Sequence, residues 1–315
     1  MEQQFAYCGK LLLLYFSQLD KLLMLALLLC LTGLPLLAAV GQDLARSRGR
    51  SAYDKCARQL GQLGGRLGLV AGIAGGIALA VQYESLLALD INNLAARENF
   101  VLLLMAGGWL CVLFSALLNR LYAGLWQRPR MSLRLHQLLA LLAALAAAAA
   151  LYAALAYLHA RGVVSAPADS RALLLPDAEL FWTALGYTPL AALALAGGYG
   201  ALWLLLRRNA DDYGRDHYNL VIPWCAGWAR NAWLLLWLLV AIRTGRRIFQ
   251  LHEAAGGSLD WSRFAPDAAG LFVFLLPGLL WLGLSRSAAP LRAKIALSLA
   301  PLWATGCLFL LDMGG

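Results

Sequence analysis

Residues 49–83 read GRSAYDKCARQLGQLGGRLGLVAGIAGGIALAVQY. With the residues just ahead of it, the first part of this stretch is basic, carrying Arg46, Arg48, Arg50, Lys55, Arg58 and Arg66. From Leu67 to Tyr83 there is no charge at all. From just ahead of this half and through it, Gly64, Gly68, Gly72, Gly76 and Ala80 recur at every fourth position. On a helix such positions share one face. A row without side chains lets a second helix approach backbone to backbone, which is how helices pack where lipid removes the hydrophobic drive between them. The stretch therefore predicts a basic loop running into a closely packed transmembrane helix.

The rest of the chain agrees. Of 315 residues 61% are hydrophobic and 14% charged, and mean hydropathy is +0.66. Soluble domains hold roughly 25% charged residues, so the composition points to an all-α, polytopic membrane bundle. The net charge of +9 is no sign of nucleic-acid binding. The basic residues stand in short connections between apolar runs, where they set topology and meet anionic lipid. Cys8, Cys30, Cys56, Cys111, Cys225 and Cys307 form no CxxC pair. They read as small buried hydrophobes rather than as iron–sulfur or zinc ligands.

Runs of about 20 apolar residues suffice to cross a bilayer. About eight are present, at 21–41, 67–83, 98–121, 133–158, 179–206, 218–242, 268–284 and 290–311. They form one domain over residues 1–315. Residues 5–20 alternate apolar and polar faces and predict a short interfacial helix ahead of an uncleaved first span. Lysine and arginine cluster in the first, third, fifth and seventh connections. That bias places those connections in the cytoplasm and both termini outside. The connection at 243–267 is expected as a long outward loop, although it carries four arginines.

The segment Gly49, Arg50, Tyr53, followed by Gly72, Ala74, Gly76, Gln82 and Tyr83, resembles the first cytoplasmic loop and second helix of subunit I of the cytochrome bd quinol oxidases. Glu98 in the third run and His136 at the start of the fourth extend the resemblance, which covers about half the chain. It implies a bundle with an outward N-terminus and a quinol-binding loop between the sixth and seventh helices. It also implies haem b, but the ligand positions differ. The slot for the high-spin haem histidine falls at or near Met24, and the first helix contains no histidine. The family's second third-helix carboxylate falls at Ala106, and its fifth-helix histidine near Trp182 and Thr183. Haem iron is usually held by a His or Met side chain, and of these the membrane core of this chain offers Met24 and Met105. The resemblance thus implies a quinone-interacting or structural subunit of a bacterial inner-membrane redox complex, with other membrane subunits and lipid as partners. It would have no oxygen-reducing haem centre of its own. A transporter or channel, or a haem-free scaffold, stands as the alternative.

The remaining candidates come from the residues themselves. Glu98, beside Arg97, reads as an interfacial ion-pair partner or as a proton-exchanging acid. His136 stands at the start of the fourth run, as an interfacial histidine or a haem ligand shared with a partner chain. Arg230 lies well inside the sixth run, next to Asn231 and among Trp224, Trp228, Trp233 and Trp237. An arginine at mid-membrane costs about 2.5–3.5 kcal/mol and needs a partner. It would be structural, bind an anionic headgroup, quinone carbonyl or haem propionate, or be interfacial if the helix begins late. Arg246, Arg247, His252 and Glu253 are either solvated loop charges or a quinol site, in which His252 and Glu253 would take the protons. No metal set and no catalytic residue is assigned.

Overall fold

The computed structural model describes residues 2–82, 97–125, 133–162, 178–254 and 261–312. The described residues form eight α-helices: α1 Glu2–Ser47, α2 Ser51–Val81, α3 Arg97–Leu125, α4 Leu133–Gly162, α5 Ala178–Asp211, α6 Arg215–Ala254, α7 Trp261–Arg286 and α8 Lys294–Asp312. A 3-10 turn, Pro290–Arg292, links the last two. Seven helices are long and apolar enough to cross a membrane. The apolar part of α8, Lys294–Leu308, is shorter. The chain is an all-α multi-pass membrane protein.

Three expectations about boundaries change. The basic loop expected ahead of the glycine row shrinks to a turn, because α1 runs to Ser47 and α2 begins at Ser51, so that Arg46, Lys55, Arg58 and Arg66 stand on helices. The N-terminal segment is no separate interfacial helix, because α1 runs unbroken from Glu2 to Ser47, through Pro35. The expected long loop at 243–267 is mostly helix. α6 continues to Ala254 and α7 opens at Trp261, so Arg246, Arg247, His252 and Glu253 stand on the last turns of α6. Arginine, glutamine, leucine and glutamate are good helix formers, and between Arg243 and Glu253 they outweigh the single glycine, Gly245, with no proline present.

The turn between α1 and α2 depends on Gly49. Its φ of +62° lies in the left-handed region that glycine enters at no steric cost. The Gly49 amide donates to the Arg46 carbonyl at 3.3 Å and that of Arg50 to Ala45 at 3.0 Å. This is the Schellman termination, which satisfies carbonyls that a helix end leaves open. No atom crowds the Gly49 Cβ position, so backbone conformation alone demands glycine there.

The glycine row of α2 lies against α3. A Cβ on Gly64 would meet the Asn119 side chain at 2.7 Å, one on Gly68 would meet Ala116 at 2.6 Å, and one on Gly72 would meet Leu113 at 2.6 Å. Gly76 looks onto the Trp109 ring at 3.6 Å. Trp109 completes the contact by donating its indole N–H to the Gly72 carbonyl at 2.7 Å. On the adjoining face Ile73, Ile77 and Val81 are exposed, as lipid-facing residues of a span would be.

α1 is the central helix, touching α2 and α4 on one side and α5 on the other. Leu31, Leu34 and Leu37 are fully buried on it. α4 brings Ala143, Ala147 and Ala150 inward, and Ser115 of α3 donates to the Ala143 carbonyl at 2.9 Å. Chains of alanine leave a narrow helix that neighbours approach closely. On the other side α5, α6, α7 and α8 pack through aromatics. Trp233 stacks on Phe274 at 4.5 Å and meets Trp281 edge-on at 5.8 Å. Tyr199 of α5 and Thr305 of α8 share a 2.9 Å hydrogen bond.

Candidate functional site

Three places in the bundle carry chemistry. The first is a polar network at the end where α1 meets α2 and α5 meets α6. Gln59 of α2 is buried and donates its amide N–H to Asp211 of α5 at 2.6 Å. Arg207 holds the same carboxylate through both oxygens, at 3.1 Å from Nε and 2.5 Å from the terminal nitrogen. The carboxylate only accepts, so the Gln59 NH2 faces it and the amide oxygen faces His217 Nε2 at 3.3 Å. His217 therefore carries its hydrogen on Nε2. Trp203 donates to the Gln59 backbone carbonyl at 3.1 Å, and the Arg66 guanidinium lies over the Trp203 ring at 4.7 Å. Lys55 sits 4.8 Å from the Tyr213 ring. The network ties α2, α5 and α6 together.

Replacing Gln59 by alanine leaves Asp211 with Arg207 alone and His217 Nε2 without its acceptor. Each lost buried partner costs about 1–3 kcal/mol. We expect Gln59→Ala to lower the thermal midpoint in detergent by several degrees, and Gln59→Glu, which cannot donate to Asp211, to lower it further. Scanning fluorimetry of the two variants measures both.

The second place is an apolar pocket of about 140 Å³ between α1, α2, α3 and α4. Met24, Met105, Gly75, Trp109, Ala153 and Tyr157 are among its walls. Met24 and Met105 are the two thioethers that the sequence offers in the core, and they line the same cavity. Small residues on three sides, Gly75, Gly108 and Ala153, create the space. A cavity near 150 Å³ lined by apolar side chains holds a benzene-sized molecule, so this one suits a segment of an apolar chain. It does not suit a porphyrin macrocycle, and no haem chemistry is built on it.

The third is Arg230. Side chains on a helix lean toward its N-terminus, and the guanidinium reaches Ser285 Oγ at 3.0 Å and Asn231 Oδ1 at 2.8 and 2.9 Å. Ser285 is the penultimate residue of α7, so the charge lies level with a polar helix end. Arg230 is half-buried, and its described partners are a hydroxyl and an amide. Of the surrounding indoles, Trp233 and Trp237 turn to α7 and donate to the carbonyls of Phe274 and Leu271 at 2.7 and 3.0 Å.

The other candidates are dispersed. His136 is buried edge-on to Tyr122 at 5.7 Å, with Asp54 and Arg46 as the facing charges. Glu98 is on the first turn of α3, two helical turns before Met105, and its side chain lies outside the described residues, as does that of His159. Arg246, Arg247 and Glu253 are exposed on α6 and His252 is half-buried. Among the described residues no three His, Cys, Asp or Glu side chains come together as a metal set. The Gln59 network escaped sequence reading because its members lie 144 to 158 residues apart. The one local signal is a polar residue on each helix, Gln59 more than two turns into α2 and His217 in the first turn of α6.

No protein-family model and no curated protein matches the sequence.

Proposed function

We propose that this chain is a quinone-interacting membrane subunit of a bacterial inner-membrane electron-transfer complex, with no oxygen-reducing haem centre of its own. The apolar cavity between α1 and α4 carries the assignment. It is open to an isoprenoid segment and too small for a haem, and it lies in the part of the chain that resembles subunit I of the cytochrome bd oxidases. The basic connections between α1 and α2, α3 and α4, α5 and α6, and α7 and α8 would face the cytoplasm. Both termini and the end of α6 would then lie outside. On this reading redox centres reside in partner subunits, and Arg246, Arg247, His252 and Glu253 would meet the quinone head or such a partner.

The test is quinone analysis of the protein purified from its native membrane. Co-purifying quinone is expected in near-stoichiometric amount, together with further membrane subunits. Ala153→Leu, which narrows the cavity, is expected to lower quinone content about tenfold while leaving assembly intact, as one methylene can cost 10-fold or more in a tight apolar pocket. A b-type haem spectrum from the isolated chain would overturn the assignment. So would quinone content that Ala153→Leu leaves unchanged.

A further inference from the structure

A second cleft, of about 380 Å³, lies where α5 ends and α6 begins. Its walls include Arg208, Arg215 and Arg292, with Asp212 as the opposing charge, and Tyr218 and Leu291. The three arginines come from three elements: the last turn of α5, the first residue of α6 and the turn between α7 and α8. None of them forms a salt bridge among the described residues. Asp211, the acid just before Asp212 in the chain, is engaged by Arg207 and Gln59 and does not offset them. Arg208 uses one N–H on Asn209 at 3.2 Å, and a guanidinium has five. The cleft thus gathers three cations against one anion, with guanidinium forks of the shape that takes phosphate bidentately.

The wall also holds Tyr218, which is 2% exposed. Its hydroxyl makes no hydrogen bond of normal geometry, although the Gln59 amide is close enough to act on it electrostatically. From the cleft an apolar stripe runs along α8. Ile295, Leu299 and Leu302 are exposed there at 82%, 42% and 58%, spaced so that they share a helix face. A phosphate held by Arg292 would stand within one helical turn of Ile295, where that stripe begins.

We propose that this cleft binds a phosphate group, that of an anionic phospholipid whose acyl chains lie along the exposed stripe of α8. The site is separate from the cavity between α1 and α4 and does not depend on what that cavity holds. The zwitterionic headgroup of phosphatidylcholine places its own cation against the arginines and is the weaker ligand. Free phosphate offers the same oxygens without the chains.

Native mass spectrometry of the full-length protein in detergent tests this. Phosphatidylglycerol is expected to bind about tenfold tighter than phosphatidylcholine. The triple variant Arg208→Gln, Arg215→Gln, Arg292→Gln should lose that preference. Arg134→Gln, an exposed arginine of α4 at the same end, should keep it. Should the triple variant not fold, Arg292→Gln alone, on an exposed turn, is expected to weaken phosphatidylglycerol binding about threefold or more. Equal binding of the two lipids, or unchanged binding by the arginine variants, overturns the site. Displacement of phosphatidylglycerol by millimolar inorganic phosphate overturns the lipid as its source and leaves a soluble phosphate compound.

Discussion

Replacing Gly33 by alanine is expected to destabilise the purified protein by about 3 kcal/mol, near the upper end of overpacking costs. The same change at Gly72 should cost well under half of that. At Gly33 a Cβ would run into the Ala192 carbonyl oxygen and lie 2.7 Å from its carbon. Both atoms belong to the backbone of α5, so α1 and α5 must part. At Gly72 the atom in the way is the Leu113 methyl, the far end of a side chain that can rotate. Thermal unfolding in detergent, scored by loss of the monodisperse peak, orders the two variants. Equal midpoints would mean that the α1–α5 contact is not the tight one. Gly197 forms the equivalent approach between α5 and α6, where a Cβ would meet the Cys225 carbonyl oxygen at 2.7 Å. α1 and α6 thus pack on α5 through single glycines.

Trp233→Ala is expected to cost about 3–5 kcal/mol, as for large aromatics removed from protein interiors. Trp233 has no exposed surface. Its ring is stacked at 18° on Phe274 and meets Trp281 at 76°, and its N–H bonds the Phe274 carbonyl. Lipid is as apolar as the ring, so the loss is not one of hydrophobic transfer. It is loss of dispersion contacts and of an interhelical hydrogen bond. Trp233→Phe keeps most of the contacts and should cost about 1 kcal/mol for the hydrogen bond. Hydrogen–deuterium exchange should locate the damage, with α7 and α8 exchanging faster in Trp233→Ala and α3 and α4 unchanged. Uniformly faster exchange would show that the aromatic cluster holds the whole bundle rather than its second half.

The membrane class and most helices were legible because they rest on long uniform patterns. Apolar runs report spans whatever their neighbours are, and a glycine at every fourth position reports a packing face by its own periodicity. Gly33 and Gly197 matter as much as that row, yet each contact depends on a single residue in a leucine- or alanine-rich helix. No period marks them, and their partners lie 159 and 28 residues away, at Ala192 and Cys225. The end of α6 was misread for a related reason. Arg243, Arg246 and Arg247 end the apolar run, but a helix need not end where its hydrophobicity does. Arg230 is the converse case. It looked stranded inside a span because the level of α7's end cannot be read from α6 alone. Met24 and Met105 were singled out for their chemistry. Their placement around one cavity depends on Gly75 and Gly108, whose lack of side chains has no signature at a distance.

α6 has 40 residues and so measures about 60 Å at 1.5 Å per residue. A bilayer with its headgroups is about 40–45 Å thick, and spans are tilted by about 20° on average. One unbroken helix, through Pro223, therefore reaches past the membrane. Trp233, with its grip on Phe274 and Trp281, stands almost at the midpoint between Arg215 and Ala254. Its first half is clamped, since Val221, Ile222, Cys225, Ala226 and Ala229 have no exposed surface and His217 meets Gln59. Beyond Arg243 most of its residues are exposed. The helix is thus a post, anchored at one face of the bundle and standing clear of it at the other.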